Sequence, residues 1–276
     1  MNKVVASADD AIGDVFDGAT IMVGGFGLCG MPENLIRALQ KRGTKNLTTI
    51  SNNVGVDGLG MGLLLANGQI VRHIGTYVGE NKLLEQMVIN HQIDLQLIPQ
   101  GTFSERMRAA GARYRCVLHA DGLRYGCRGG KRHASSMGVH TFMEHALKAD
   151  FAFVKAWKGD KWGNLVYRKT ARNFNPMMAT AAKVTIAEVE ELVEVGELDP
   201  DMVHTPSVFV KRIFRVSCLR RELKSERCKK RLPAASVGFL SGGTGTRVCR
   251  TKSMNLYITM PSASKPGKTS RSANAL

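Results

Sequence analysis

Long hydrophobic runs are missing from this 276-residue chain. No stretch of about 18 apolar residues occurs, which excludes a membrane-spanning helix. The opening residues, MNKVVASADDAIGDVF, lack the apolar centre of a secretory signal and are too acidic for a mitochondrial presequence. A cytoplasmic location and no membrane partner are therefore expected. Cysteine is scarce in the regular part of the chain. Cys29 stands alone there, while Cys116, Cys127, Cys218, Cys228 and Cys249 fall in two basic segments. A lone cysteine without a paired framework fits a reducing compartment. Cys116, His119, Cys127 and His133 come nearest to a metal set, but their spacing is not a usual zinc pattern, so no metal is expected. Gly238–Thr246 (GFLSGGTGT) lacks the lysine a phosphate-binding loop needs.

Charge is abundant but local. The net charge of +16 would suit a nucleic-acid-binding protein. Residues 113–140 contribute +5 and residues 215–276 contribute +12, so the remainder nets −1. Positive charge confined to two segments argues against a nucleic-acid partner. A nucleic-acid binder would show steep salt dependence that survives deletion of 1–112.

With 43% apolar residues the chain can bury an ordinary core. Residues 3–16 carry Val4, Val5, Ala8, Ile12 and Val15 at helical spacing, which predicts an amphipathic helix. Asp17-Gly18 is a turn, and Ala19–Val23 reads as a buried parallel strand. A glycine-rich stretch leads to Pro32 and Glu33, both suited to a helix start, with Leu35, Ile36 and Leu39 as its buried stripe and Gly43 as its end. Strands follow at Leu47–Ser51, near 69–77 and at Asp94–Pro99, alternating with helices near 58–67, 81–91 and 103–110. After residue 140 a helix ends at Ala146–Ala149. Strands are expected at Phe151–Trp157, Leu165–Tyr167 and Lys183–Ala187, with a helix at 177–182 and an exposed acidic run at Glu188–Glu194. The fold class is α/β, a largely parallel open sheet flanked by helices. Its domain spans 1–214, with 113–139 aberrant. A basic, disordered, low-complexity tail is expected over 215–276.

Gly24, Gly25, Phe26, Gly27, Leu28, Cys29 and Gly30 form the richest local feature. From Gly25 they satisfy G-x-G-x-x-G between a strand and a helix, where backbone N–H groups and the positive helix end favour a phosphate. A nicotinamide dinucleotide would also need an acid near the end of the second strand, but that end reads Ser51-Asn52-Asn53. A tight turn with no ligand is the plain alternative. Asn52, Asn53 and Gln100 sit at strand ends on the ligand-facing edge, where their amides can hold a carboxylate or a thioester oxygen, or merely cap loops. Cys29 reads as a small filler. Met177 and Met178 read as core.

The run from Asp17-Gly18 through Gly24-Gly25-Phe26 to Gly30-x-Pro32 resembles the first motif of the family I coenzyme A transferases. Asn46–Asn53 (NLTTISNN), Tyr77–Asn81 (YVGEN), Pro99–Thr102 (PQGT), Gly163–Pro176 (GNLVYRKTARNFNP) and Glu194–Pro206 (EVGELDPDMVHTP) resemble its α subunits too. The YRKTARNFNP form is most similar to the succinyl-CoA:3-oxoacid type, with the acetate:acetoacetyl-CoA and 3-oxoadipate types close behind. The resemblance implies that Gly24–Gly30 hold coenzyme A, which is a substrate and not a resident cofactor. It also implies that a β subunit supplies a nucleophilic glutamate that becomes a glutamyl-CoA thioester, within an α2β2 assembly. The family's Ser-Glu-Asn-Gly run for that glutamate is absent. Gly79-Glu80-Asn81-Lys82 lacks the serine and the glycine, so Glu80 takes a local or site-rim role and no catalytic nucleophile is expected in this chain.

The resemblance breaks off at 113–139 and again from about Arg215. Family codons for the first stretch, read one base early, give Val-Leu-His-Ala-Asp-Gly-Leu-Arg-Tyr-Gly-Cys-Arg, which is Val117–Arg128. Both segments are therefore expected to be frame-shifted, with weakened packing and activity. A lineage-specific insertion and an inactive gene product are the alternatives.

Overall fold

The structure, a computed structural model, describes residues 2–119, 133–136 and 139–216. In chain order the elements are α1 (Ala8–Ala11), β1 (Thr20–Val23), α2 (Glu33–Arg42), β2 (Leu47–Ile50), α3 (Gly62–Ala66) and β3 (Ile70–Gly75). Next come α4 (Lys82–Ile89), β4 (Asp94–Leu97), α5 (Gln100–Gly111), β5 (Cys116–His119), β6 (His133–Ser136) and β7 (Val139–His145). The series closes with β8 (Ala149–Asp160), β9 (Leu165–Val166), α6 (Asn175–Ala181), β10 (Ala182–Val193) and β11 (Val210–Arg215).

The main sheet runs β11-β10-β8-β1-β2-β3-β4, and every one of these neighbours is parallel. β9 adds antiparallel to the far end of β8. A smaller antiparallel sheet has the order β5-β7-β6. This is the α/β architecture that the alternation of short apolar strands and helical stripes predicts.

Successive residues of β1 feed opposite faces. Ile21 and Val23 join a core with Leu35, Ile36, Leu39, Leu64 and Phe153, while Met22 joins Ile50, Ala152, Phe103, Met107 and Met178. Both faces are thus covered, as a parallel sheet requires. Each such fully buried Leu or Phe contributes about 1.5–3 kcal/mol. α2 ends where Gly43 takes φ 74°, a left-handed conformation that glycine adopts without steric cost. α4 begins where the Asn81 side chain accepts the Leu84 N–H at 2.9 Å.

Three expectations are corrected. The helix over 3–16 shrinks to α1, because Val4 instead bridges Ile213 in parallel at the sheet's edge. The helix ending at Ala146–Ala149 is replaced by strand β7 and the start of β8, since pairing with β5 and β10 overrides local propensity. Within 113–139 the described residues include β5 and β6. The run Glu188–Glu194 is not uniformly exposed: β10 continues through Val193, and Glu188 and Val189 are fully buried.

The described residues fall within one unit, Met1–Lys224. Cys127, Cys218, Cys228, Cys249, the loop at Gly238–Thr246 and nearly all of the expected tail lie outside the described residues.

Candidate functional site

β1 is the point where the sheet's strand order reverses. Its chain successor β2 lies on one side and the distant β8 on the other. In open parallel sheets a crevice opens at the carboxyl end of such a strand. The glycine turn begins there, with Gly24 N–H donating to Phe153 O at 3.0 Å. Phe26 and Cys29 exchange two backbone hydrogen bonds of 3.0 Å, so Gly27 and Leu28 form the tip of a tight two-residue loop. Gly27 takes φ 58°, and Phe26 is 53% exposed at the rim.

Asn175 is what makes the glycines necessary. It is fully buried at the start of α6. Its Oδ1 accepts the Lys155 N–H at 3.0 Å, and its Nδ2 donates to Gly30 O at 3.1 Å and Ala171 O at 3.0 Å. A Cβ on Gly24 would overlap Asn175 Oδ1, and one on Gly30 would stand 2.9 Å from Nδ2. Asn173 Nδ2 donates to Cys29 O at 2.9 Å, and Cys29 Sγ lies 2.9 Å from Thr170 Oγ1. The segment 168–175 is thereby fastened along the whole length of the turn. Sequence reading passes over Asn175. The one available signal is its position before Pro176 at a helix start.

The helix end beyond the turn is already taken. Glu188 Oε2 accepts the Asn34 and Leu35 N–H groups at 3.0 and 3.3 Å, so a carboxylate from β10 fills the positive end of α2. Lys155 Nζ stands 3.1 Å from Glu188 Oε1, an ion pair whose angle lies outside hydrogen-bond geometry. Glu33 is buried beside them. Desolvation first and the Glu188 charge second push its carboxyl above the usual carboxylate range. The helix end where the sequence pattern favours a phosphate thus holds an internal anion. Within the turn, the Phe26, Gly27 and Cys29 N–H groups are likewise engaged.

The three predicted amides come together on the other side of the turn. Gly27 N–H donates to Asn53 Oδ1 at 3.1 Å. Asn52 Nδ2 lies 3.3 Å from the same oxygen. Asn52 Oδ1 accepts from Thr76 Oγ1 at 2.8 Å and from Gln100 Nε2 at 2.8 Å. The ends of β2, β3 and β4 are thus stitched to the glycine tip. Asn52 and Asn53 are 3% and 2% exposed, so Gln100, at the exposed start of α5, is the amide that faces outward.

Behind this lattice His73 is fully buried, with Nδ1 2.9 Å from Thr49 Oγ1 and Nε2 without a partner. Burial lowers its pKa to about 4, so it is neutral at physiological pH. Glu80 is exposed with φ 75°, next to the capping Asn81, in keeping with a local role. Met178 is core and Met177 packs against it. Among the described residues no three His, Cys, Asp or Glu cluster to hold a metal, and no helix is long and apolar enough to cross a membrane.

Comparison with known proteins identifies the family. The sequence model of the coenzyme A transferase family matches residues 5–215. The chain is 49% identical to the A subunit of the probable succinyl-CoA:3-ketoacid coenzyme A transferase of Bacillus subtilis over 213 residues, 77% of this chain and 90% of that one. It is 51% identical to the A subunit of the succinyl-CoA:3-ketoacid coenzyme A transferase of Xanthomonas campestris over 212 residues, 76% and 88% of the two chains. Among solved structures, the acyl-CoA transferase of Escherichia coli O157:H7, in a thioester complex with CoA, superposes with a TM-score of 0.70 at 21% identity. That match covers 78% of this chain and 47% of the other, so this chain spans about half the length of that protein. Glutaconate coenzyme A-transferase from Acidaminococcus fermentans gives a TM-score of 0.66 at 19% identity, covering 78% and 75%.

Proposed function

Because the chain belongs to the coenzyme A transferase family, we propose that it is the glycine-turn subunit of a two-chain enzyme moving CoA from succinyl-CoA to a 3-oxoacid such as acetoacetate. The observation that carries the reading is the convergence of Gly27, Asn53, Asn52, Thr76 and Gln100 at the carboxyl edge beside β1. Gly24–Gly30, Phe26 and Gln100 form the wall against which the thioester lies. A glutamate on the partner chain attacks the succinyl-CoA carbonyl and releases CoA thiolate. The thiolate then attacks the glutamyl carbonyl of the resulting anhydride, expelling succinate and leaving a glutamyl-CoA thioester. The acceptor carboxylate reverses the sequence, and the kinetics are ping-pong. The Bacillus and Xanthomonas relatives are each named as one of their enzyme's subunits, which supports a β partner here, and an α2β2 assembly is our reading of the stoichiometry. A free Cys29 supports a reducing, cytoplasmic setting.

Coexpression with the β subunit and a succinyl-CoA–acetoacetate exchange assay tests this. Exchange by the complex and none by either chain alone is the expected result. A complex that forms but exchanges no 3-oxoacid would overturn it. A second reading is damage by frame shift over 113–139 and beyond 215; the end of the family match at residue 215 supports its second part alone, since that match runs through 113–139. Peptides from 117–128 recovered from the native protein, with an uninterrupted gene, would exclude a sequencing error.

A further inference from the structure

A coenzyme A thioester brings three phosphate groups, and the usual place for a phosphate beyond a glycine turn is a helix N-terminus. Here Glu188 occupies that place through the Asn34 and Leu35 N–H groups. A second anion there would face a buried carboxylate, at a steep cost in so dry a site. The phosphates must therefore find their positive charge elsewhere.

Most cations near the turn are already committed. Lys155 faces Glu188, Lys158 pairs with Glu191, and Arg168 pairs with Glu190 while lying over the Trp157 ring. Two on the segment touching the turn are not. Lys169 and Arg172 are exposed, and among the described residues neither has a carboxylate partner. They flank Thr170, whose hydroxyl meets Cys29, and lie just before Asn173 and Asn175, which bind Cys29 O and Gly30 O. The backbone that carries both charges is therefore fastened against the turn. Arg172 also lies within electrostatic reach of His204, whose pKa is lowered by burial first and by the Arg172 charge second; a histidine brings no negative charge.

We propose that Lys169 and Arg172 form the phosphate subsite of this chain, taking the diphosphate or the 3′-phosphate of the coenzyme A thioester. The inference rests on the coenzyme A reading above and adds where the nucleotide end binds. Arg supplies a planar fork for phosphate oxygens and Lys a point charge, the usual pairing for an exposed phosphate ester.

The test is the double variant K169Q/R172Q, with the charge-preserving K169R/R172K beside it. In the complex with the β subunit, KM for succinyl-CoA should rise about tenfold or more per cation lost, with kcat held. KM for succinyl-pantetheine, which has no phosphate, should not change. Succinyl-dephospho-CoA separates the sources. If it behaves like succinyl-pantetheine, the 3′-phosphate is the ligand; if like succinyl-CoA, the diphosphate is. K169R/R172K should restore the wild-type ratio. Independently of activity, calorimetry with inorganic pyrophosphate should show binding to the wild-type chain and none to K169Q/R172Q. An unchanged succinyl-CoA to succinyl-pantetheine KM ratio, or equal pyrophosphate affinity in both proteins, would overturn the subsite. Loss of pyrophosphate binding in a complex without exchange would keep the subsite and sink the transferase reading.

Discussion

The two flanks of the glycine turn are built from different chemistry. On the β8–β10 side the polar groups are charged: Glu188 caps α2, Lys155 faces it, and Glu33 is buried next to both. On the β2–β4 side they are neutral: Asn53, Asn52, Thr76 and Gln100 pass hydrogen bonds from the turn to three strand ends. On the charged side Glu188 already occupies the start of α2, so an anion approaching that helix end meets a carboxylate. The neutral side ends in an exposed amide that can trade its partner for a ligand oxygen without stranding a charge. On the proposed reading it is the neutral flank, ending in Gln100, that faces the reaction.

Removing the charge should break the first flank hardest. Glu188→Ala leaves Lys155 facing an empty site and uncaps α2, with an expected loss of about 3–5 kcal/mol, measured by urea denaturation. A loss below about 1 kcal/mol, the size of an ordinary surface pair, would mean that the charged flank does not hold the turn.

The neutral flank should show itself through pH. His73 is pushed down to about 4 in the fold, whereas the unfolded chain takes its proton near the ordinary value of 6.5. Its contribution is complete above about 6.5 and is lost as pH falls toward 4, amounting to about 3 kcal/mol. Glu33 works in the opposite sense. Its carboxyl is raised in the fold, so it favours low pH and its contribution fades as pH rises from the unfolded value of 4.5 through the folded one. Comparing wild type with His73→Phe across about pH 4–7 isolates the histidine. Parallel stability curves would contradict its assignment.

Gly24→Ala drives a Cβ into Asn175 Oδ1. We expect a loss of about 1–3 kcal/mol, partly relieved in Gly24→Ala/Asn175→Gly, so a double-mutant cycle should show coupling. Strict additivity would remove Asn175 as the reason for the glycine. The smallest effect belongs far from both flanks. Asp14→Asn breaks a two-point pair with Arg212, at 2.6 and 2.7 Å, on a partly exposed surface, for about 1 kcal/mol or less by thermal melt.

The neutral flank is legible in the sequence and the charged flank is not. Asn52, Asn53 and Gln100 each follow a short apolar strand, and strand ends in a parallel sheet share one edge, so local pattern suffices to gather them. Glu188 begins an acidic run that reads as solvated. Only the register of β10 against β8, which sets Glu188 opposite Lys155, turns it inward. Asn175 escapes for the same reason, since its partners Gly24, Gly30 and Lys155 are between 20 and 151 positions away. Strand β7 reads as the end of a helix because its pairing with β5 and β6 is invisible to propensity. Local periodicity carries the sheet; buried charge and antiparallel partners need tertiary contact.

On the proposed division of labour this chain contributes the glycine turn and the amide edge, and the partner contributes the nucleophile. Intact-protein mass spectrometry of the complex with the β subunit, quenched after incubation with succinyl-CoA alone, decides between the two chains. We expect coenzyme A attached to the partner chain, with this chain unchanged in mass. Coenzyme A attached to this chain, on Glu80 or any other carboxylate, would contradict the division.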